Sequence, residues 1–141
     1  MGLRNWIVAG VLLVGVTGAG LVLAREPESQ GTVTSQQLFV EPLAGDDSKE
    51  VIAQTYIFPP GAVLPWHIHP DAQEFAYVIE GDFTFERADR AARQMKAGGA
   101  EYLPPNIVHR GMNKGDKPVK LFVLRIKPKD KPPVLEVPAP H

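Results

Sequence analysis

Residues 61–81, GAVLPWHIHPDAQEFAYVIEG, are the stretch of this 141-residue chain from which both fold and chemistry can be read. His67 and His69 stand two apart, Glu74 follows five residues later, and Gly61 and Gly81 bracket the stretch. Side chains two apart on a strand share a face, so both imidazoles point the same way, about 6.6 Å apart along the chain. Trp66 and Ile68 take the other face. Pro70 marks a turn that lets the chain bend back, and Glu74, Ala76 and Val78 then share one face of the next strand. With that face inward, Glu74 sits among small apolar neighbours.

Residues 98–113, GGAEYLPPNIVHRGMN, supply His109, on a face with Ile107, Gly111 and Asn113. The remaining histidine is His141, a terminal residue with no partner in the pattern. A buried carboxylate without a partner costs several kcal/mol, and three imidazoles are poor core residues. One cation satisfies all four groups, with imidazole arms reaching it at about 2.0–2.1 Å, the zinc distance. His67, His69, Glu74 and His109 are therefore the expected ligands of one divalent transition metal ion. Fe, Mn, Cu, Ni and Zn all suit three imidazoles and a carboxylate, and ligand type does not choose among them.

Outward from these stretches, the texture is one of short runs rich in Val, Ile, Thr, Phe and Tyr, punctuated by Gly, Pro and Asp. Strands are expected at 32–40, 50–58, 75–80, 83–87, 93–96, 101–103, 107–112 and 119–126. Gly81-Asp82 has the length and residue type of a type II′ hairpin turn, and residues 45–47 and 114–116 are further turns. Without helical runs to serve as crossovers, a parallel α/β sheet is disfavoured, which leaves an all-β sandwich or barrel. Glycine and proline make up about a fifth of the chain, which agrees.

The net charge of −1 and the lack of a basic cluster exclude an ordinary nucleic-acid partner. The absence of cysteine excludes disulfides, thiolate ligands and a thiol nucleophile. Residues 1–24 read as an export segment: Arg4 precedes an uncharged run from Trp6 to Leu23, and Val22-Leu23-Ala24 suits cleavage. That run lies between the lengths of a cleaved signal and of a membrane anchor. On either reading the remainder is exported, periplasmic or extracellular, and membrane contact is confined to residues 1–24. Residues 25–31 form a polar linker, and residues 128–141, with Pro128, Pro132, Pro133, Pro138 and Pro140, are read as a tail, within which residues 134–137 have the alternative of an edge strand or a strap across another subunit.

The two stretches resemble the two motifs of the cupin superfamily, in its small single-domain cupin-2 type. Gly61, five residues, His67-x-His69, four residues, Glu74, six residues and Gly81 match at every position. In the second, Gly98, five residues, Pro104, His109 and Asn113 match, and Asn106 stands where the family has glycine. Asparagine tolerates positive φ nearly as well. The resemblance implies a double-stranded β-helix, or jelly-roll barrel, over 32–127; the apolar export helix expected before it rests on the residue pattern of 1–24 alone. It also implies metal ligation by His67, His69, Glu74 and His109, and commonly a homodimer. The reaction implied is of mononuclear oxygenase type on a small organic molecule, with Glu74 able to act as catalytic base. The alternatives are a non-catalytic module that binds or senses a small ligand, and a sugar isomerase or epimerase. The last needs a proton shuttle, for which Tyr77, Tyr102 and Arg110 are candidates. Fold does not choose among them.

Overall fold

The computed structural model describes residues 31–141 as ten strands, with no helix among the described residues. In chain order these are β1 (Thr34–Leu43), β2 (Asp46–Phe58), β3 (His67–Ile68), β4 (Gln73–Glu80), β5 (Asp82–Arg87), β6 (Arg90–Lys96), β7 (Ala100–Leu103), β8 (His109–Met112), β9 (Val119–Pro128) and β10 (Leu135–Glu136). Two five-stranded antiparallel sheets face each other, in the orders β1-β2-β9-β4-β7 and β10-β3-β8-β5-β6. This is the expected all-β, double-sheet architecture. The export segment 1–24 and the linker up to residue 30 lie outside the described residues.

Period-two alternation places the core. On β4, Glu74, Ala76 and Val78 are buried and Phe75, Tyr77 and Ile79 are exposed. On β9, Val119, Leu121, Val123, Arg125 and Lys127 are buried. With Phe58, Phe83, Phe85, Met95 and Leu103 they fill the space between the sheets. Two buried charges away from the centre are paired. Lys127 Nζ donates to Glu50 Oε1 at 2.7 Å. Glu101 accepts from Arg87 at 3.0 Å and Arg93 at 2.9 Å, with Arg90 also against it.

Gly81-Asp82 does not close a hairpin. β4 belongs to one sheet and β5 to the other, so the chain steps between sheets at Gly81. Two alternating runs joined by a short link look alike in both arrangements, and only the pairing of each run decides. Gly81 has φ 86°, and a Cβ there would lie 2.8 Å from the Pro118 carbonyl oxygen. Both reasons demand glycine.

Beyond β9 the proline-rich segment takes the edge-strand alternative rather than forming only a tail. Lys131 N–H donates to Pro128 O at 3.3 Å, and the chain then crosses to the second sheet, where β10 pairs antiparallel with β3. Pro132 and Pro133 precede the paired residues, so no N–H needed by the ladder is lost.

Candidate metal centre

β3 and β8 are neighbours in the second sheet, and His67 lies directly opposite His109. His69 follows β3 on the same inward face. All three imidazoles are buried, and one nitrogen from each falls within a common span of 4.8 Å. Ring centroids are 4.2 Å apart for His67 and His109, 4.9 Å for His69 and His109, and 5.1 Å for His67 and His69. Phe85 stacks on His109 at 5.4 Å.

Backbone carbonyls fix the tautomers. His67 Nδ1 lies 2.8 Å from Pro65 O, His69 Nδ1 2.6 Å from Pro133 O, and His109 Nδ1 2.8 Å from Ile107 O. A carbonyl oxygen only accepts, so each Nδ1 carries the proton and donates, and in the neutral ring each Nε2 presents a lone pair. Burial holds the pKa of His67 below its ordinary value and brings that of His109 down to about 4, so both rings are uncharged at neutral pH. His69 Nε2 is buried without a hydrogen-bond partner and stands 2.8 Å from Glu74 Oε2. A lone pair facing a carboxylate oxygen at that distance repels unless a proton or a cation lies between them. Converging lone pairs, one orphaned buried nitrogen and an adjacent carboxylate make a donor set that fits a divalent transition metal.

Glu74 arrives from the opposite sheet, and its surroundings were not visible in the motif. Arg125, its cross-strand partner on β9, donates from Nε to Glu74 Oε2 at 2.6 Å. Glu74 Oε1 faces the imidazoles, 3.9 Å from His109 Nε2. Burial alone would raise the Glu74 pKa, but the Arg125 charge overrides it and holds the group ionised, well below the usual carboxylate range. Arg125 Nη1 donates to Gln54 Oε1 at 2.7 Å and to Tyr56 Oη at 3.1 Å, and Tyr56 in turn donates to Gln54 at 2.9 Å. The structure thus places Glu74 beside the three histidines as half of a buried ion pair as well as a candidate ligand. Arg125, Tyr56 and Gln54 belong to the site and were missed; the alternation Val119, Leu121, Val123, Arg125 was the signal.

The two ligand-bearing loops are tied together where the second motif departs from its pattern. Asn106 adopts φ 65° and Asp71 φ 54°. Asn106 Nδ2 donates to Asp71 Oδ1 and Asp71 N–H donates to Asn106 Oδ1, both at 3.0 Å, and Asn106 N–H reaches His69 O at 3.3 Å. A glycine would adopt the same backbone without making the side-chain ties. Asn113 caps a turn from a buried position, accepting from Gly115 N–H at 2.9 Å and donating to Lys117 O at 2.7 Å and Phe58 O at 2.9 Å.

The candidate proton shuttles are elsewhere. Tyr77 and Tyr102 stand on the outer face, each 45% exposed. Arg110 pairs with Glu86 at 2.7 Å and lies over the Trp66 ring. A cavity of about 30 Å³ adjoins the site, with His67, His109, Glu74 and Arg125 at its polar end and Phe58, Phe83, Phe85 and Leu121 among its apolar walls. That is room for little more than a water molecule. A second hollow, between Tyr56, Leu64, His67, Arg125, Val134 and Glu136, opens towards β10.

Residues 54–125 match the family model described as a cupin domain. A germin-like protein of Morus alba is 34% identical over 68 residues, covering 45% of this chain and 32% of that protein. A putative germin-like protein 9-2 of Oryza sativa subsp. japonica is 31% identical over 99 residues, covering 67% of this chain and 45% of that protein. The chain therefore spans less than half the length of these curated relatives. Among solved structures, the DMSP lyase DddQ from Ruegeria pomeroyi DSS-3 aligns with a TM-score of 0.60 over 73% of this chain and 51% of that one, at 22% identity, a likeness of fold. The matched segment contains all three histidines, Glu74 and Arg125, and with half of the sequence accounted for, the chain belongs to the cupin domain family.

Proposed function

We propose that this chain is a metal-dependent enzyme in which His67, His69 and His109, with Glu74 beside them, hold one divalent transition metal ion and promote an oxygenase-type reaction on a small organic molecule. The observation that carries the reading is the convergence of three buried, carbonyl-oriented imidazoles, with His69 Nε2 buried and without a hydrogen-bond partner among them. A bound ion would supply a Lewis acid and open positions for substrate or O₂. Arg125 keeps Glu74 ionised, so its free Oε1 accepts a proton rather than donating one. Gln54 and Tyr56 hold the guanidinium in place. The phenylalanines lining the cavity keep bulk water away, which strengthens each charge interaction within it. Oxygen uptake by Fe-, Mn- or Cu-loaded protein against catechol, flavonol and thiol substrates tests the reading. Uptake with one class supports it, and none with any metal refutes it.

The hollow between Tyr56, Leu64, His67, Arg125, Val134 and Glu136 favours a second reading, a module that binds or senses a small ligand without turnover. Its signature is thermal stabilisation by a ligand that is recovered unchanged. Export rests on residues 1–24, and N-terminal sequencing of protein from the periplasm or medium tests it. A homodimer completes the proposal. Phe39, Phe75 and Tyr102 stand exposed on β1, β4 and β7 of the first sheet, with the half-buried Leu124 on β9 beside Phe75. An uncharged apolar row of this kind is complementary to a second copy of itself.

A further inference from the structure

The histidine that lacks a partner at Nε2 is the one whose other nitrogen is held from outside its own motif. His67 and His109 donate to carbonyls two residues away, Pro65 and Ile107, so their orientation is built into their own loops. His69 donates instead to Pro133 O, 64 residues along the chain, at 2.6 Å, the shortest of the three contacts. Pro133 is carried by the segment that ends in β10. That segment is fastened to the ligand strand itself: Leu135 pairs with Ile68, Glu136 with His67, and Val137 N–H donates to Trp66 O at 2.9 Å. Few other features hold it, since Val134 and Leu135 are 40% and 49% exposed. Pro132 and Pro133 restrict the approach and lower the entropy lost on docking.

We infer that the segment 131–137 is a positioning strap for the metal centre, and that its docking and metal binding are one coupled equilibrium. The inference rests on the proposed metal reading. When the strap is docked, the Pro133 carbonyl fixes the proton of His69 on Nδ1 and aims Nε2 at His67 and His109. When it lifts, His69 loses its orienting partner and the hollow between Tyr56, Arg125 and Val134 opens to solvent. Loss of such an outer partner typically lowers metal affinity about 10–100-fold. Reciprocity requires that bound metal oppose lifting of the strap by the same factor.

The test uses Co²⁺ as the probe, titrated into the full chain and into a variant lacking residues 131–141, with affinity from chelator competition and ligand geometry from the visible spectrum. The expected result is a 10–100-fold weaker Kd and an altered spectrum for the shortened chain. Hydrogen exchange at Val137 in the intact chain is the second measurement, and it decides alone should the shortened chain fail to fold. Its exchange slows by a similar factor on Co²⁺ binding. Affinity within twofold of the full chain with an unchanged spectrum, or Val137 exchange indifferent to Co²⁺, would overturn the strap's role and leave the metal centre standing. Failure of the intact chain to bind Co²⁺ at all would overturn both.

Discussion

Replacing Arg125 with methionine removes one half of a buried ion pair and leaves a hydrophobic side chain of comparable reach. In the metal-free protein Glu74 then faces only the lone pair of His69 Nε2 at 2.8 Å, while Gln54 retains the Tyr56 hydroxyl, so the loss concentrates on the carboxylate. Stranding one charge of a buried pair costs about 3–5 kcal/mol. For a domain of this size that lowers Tm by about 12–20 °C. The pH dependence has a definite sign. In the native protein the Glu74 pKa is depressed, so its contribution is in place above the unfolded value and is lost only as pH falls through the folded one. Without Arg125, burial raises the pKa instead, and the variant sheds its penalty as Glu74 takes up a proton. The gap between variant and native protein therefore narrows from pH 7 towards pH 4. A bound divalent ion supplies the missing positive charge, so saturating Zn²⁺ or Mn²⁺ narrows it too. Thermal denaturation in EDTA and in metal, at both pH values, reads all three effects. Equal Tm values in EDTA at pH 7, or a gap that widens on acidification, would refute the reasoning.

Three other outcomes are expected. Asn106→Gly keeps the positive φ but loses both Asp71 ties, whereas Asn106→Ala loses the ties and strains the backbone, so stability and metal affinity should rank native, Gly, Ala; a variant with Ala equal to Gly would show that φ is unimportant there. Gly111→Ala puts a Cβ 2.2 Å from Phe83 Cζ, and should cost about 1–3 kcal/mol in chemical denaturation; no change would mean that the ring has room to move. Light scattering should give twice the chain mass, and Phe75→Glu, between Leu124 and Tyr102 in the outer apolar row, should halve it; a native monomer ends the homodimer proposal.

The motif spacing made the clustering of the three histidines legible because a two-residue period on a strand is a strong geometric constraint. His67 and His69 are buried on one face, and His109 meets them from the neighbouring strand. Asn106 was legible as a glycine substitute from its conformational tolerance, but its bond to Asp71 was not, since the two loops meet only through the sheet pairing. Arg125 was written into the alternation of β9, yet an inward arginine in a strand reads as an exception until its partner Glu74 is known. Gly81 misled because a turn and an inter-sheet step use the same residue in the same conformation. Residues 134–137 were legible as an edge-strand alternative within the proline-rich segment, but two paired residues carry no periodicity, so the ligand strand they dock on was not.

Metal content is the most direct measurement: elemental analysis of the intact chain and of a variant with His67, His69 and His109 all replaced by alanine, each purified from its own compartment without added chelator. We expect about one transition metal ion per native chain and none above background in the variant, with β-sheet content unchanged by circular dichroism. An equal metal load in the two proteins would contradict the site at its root.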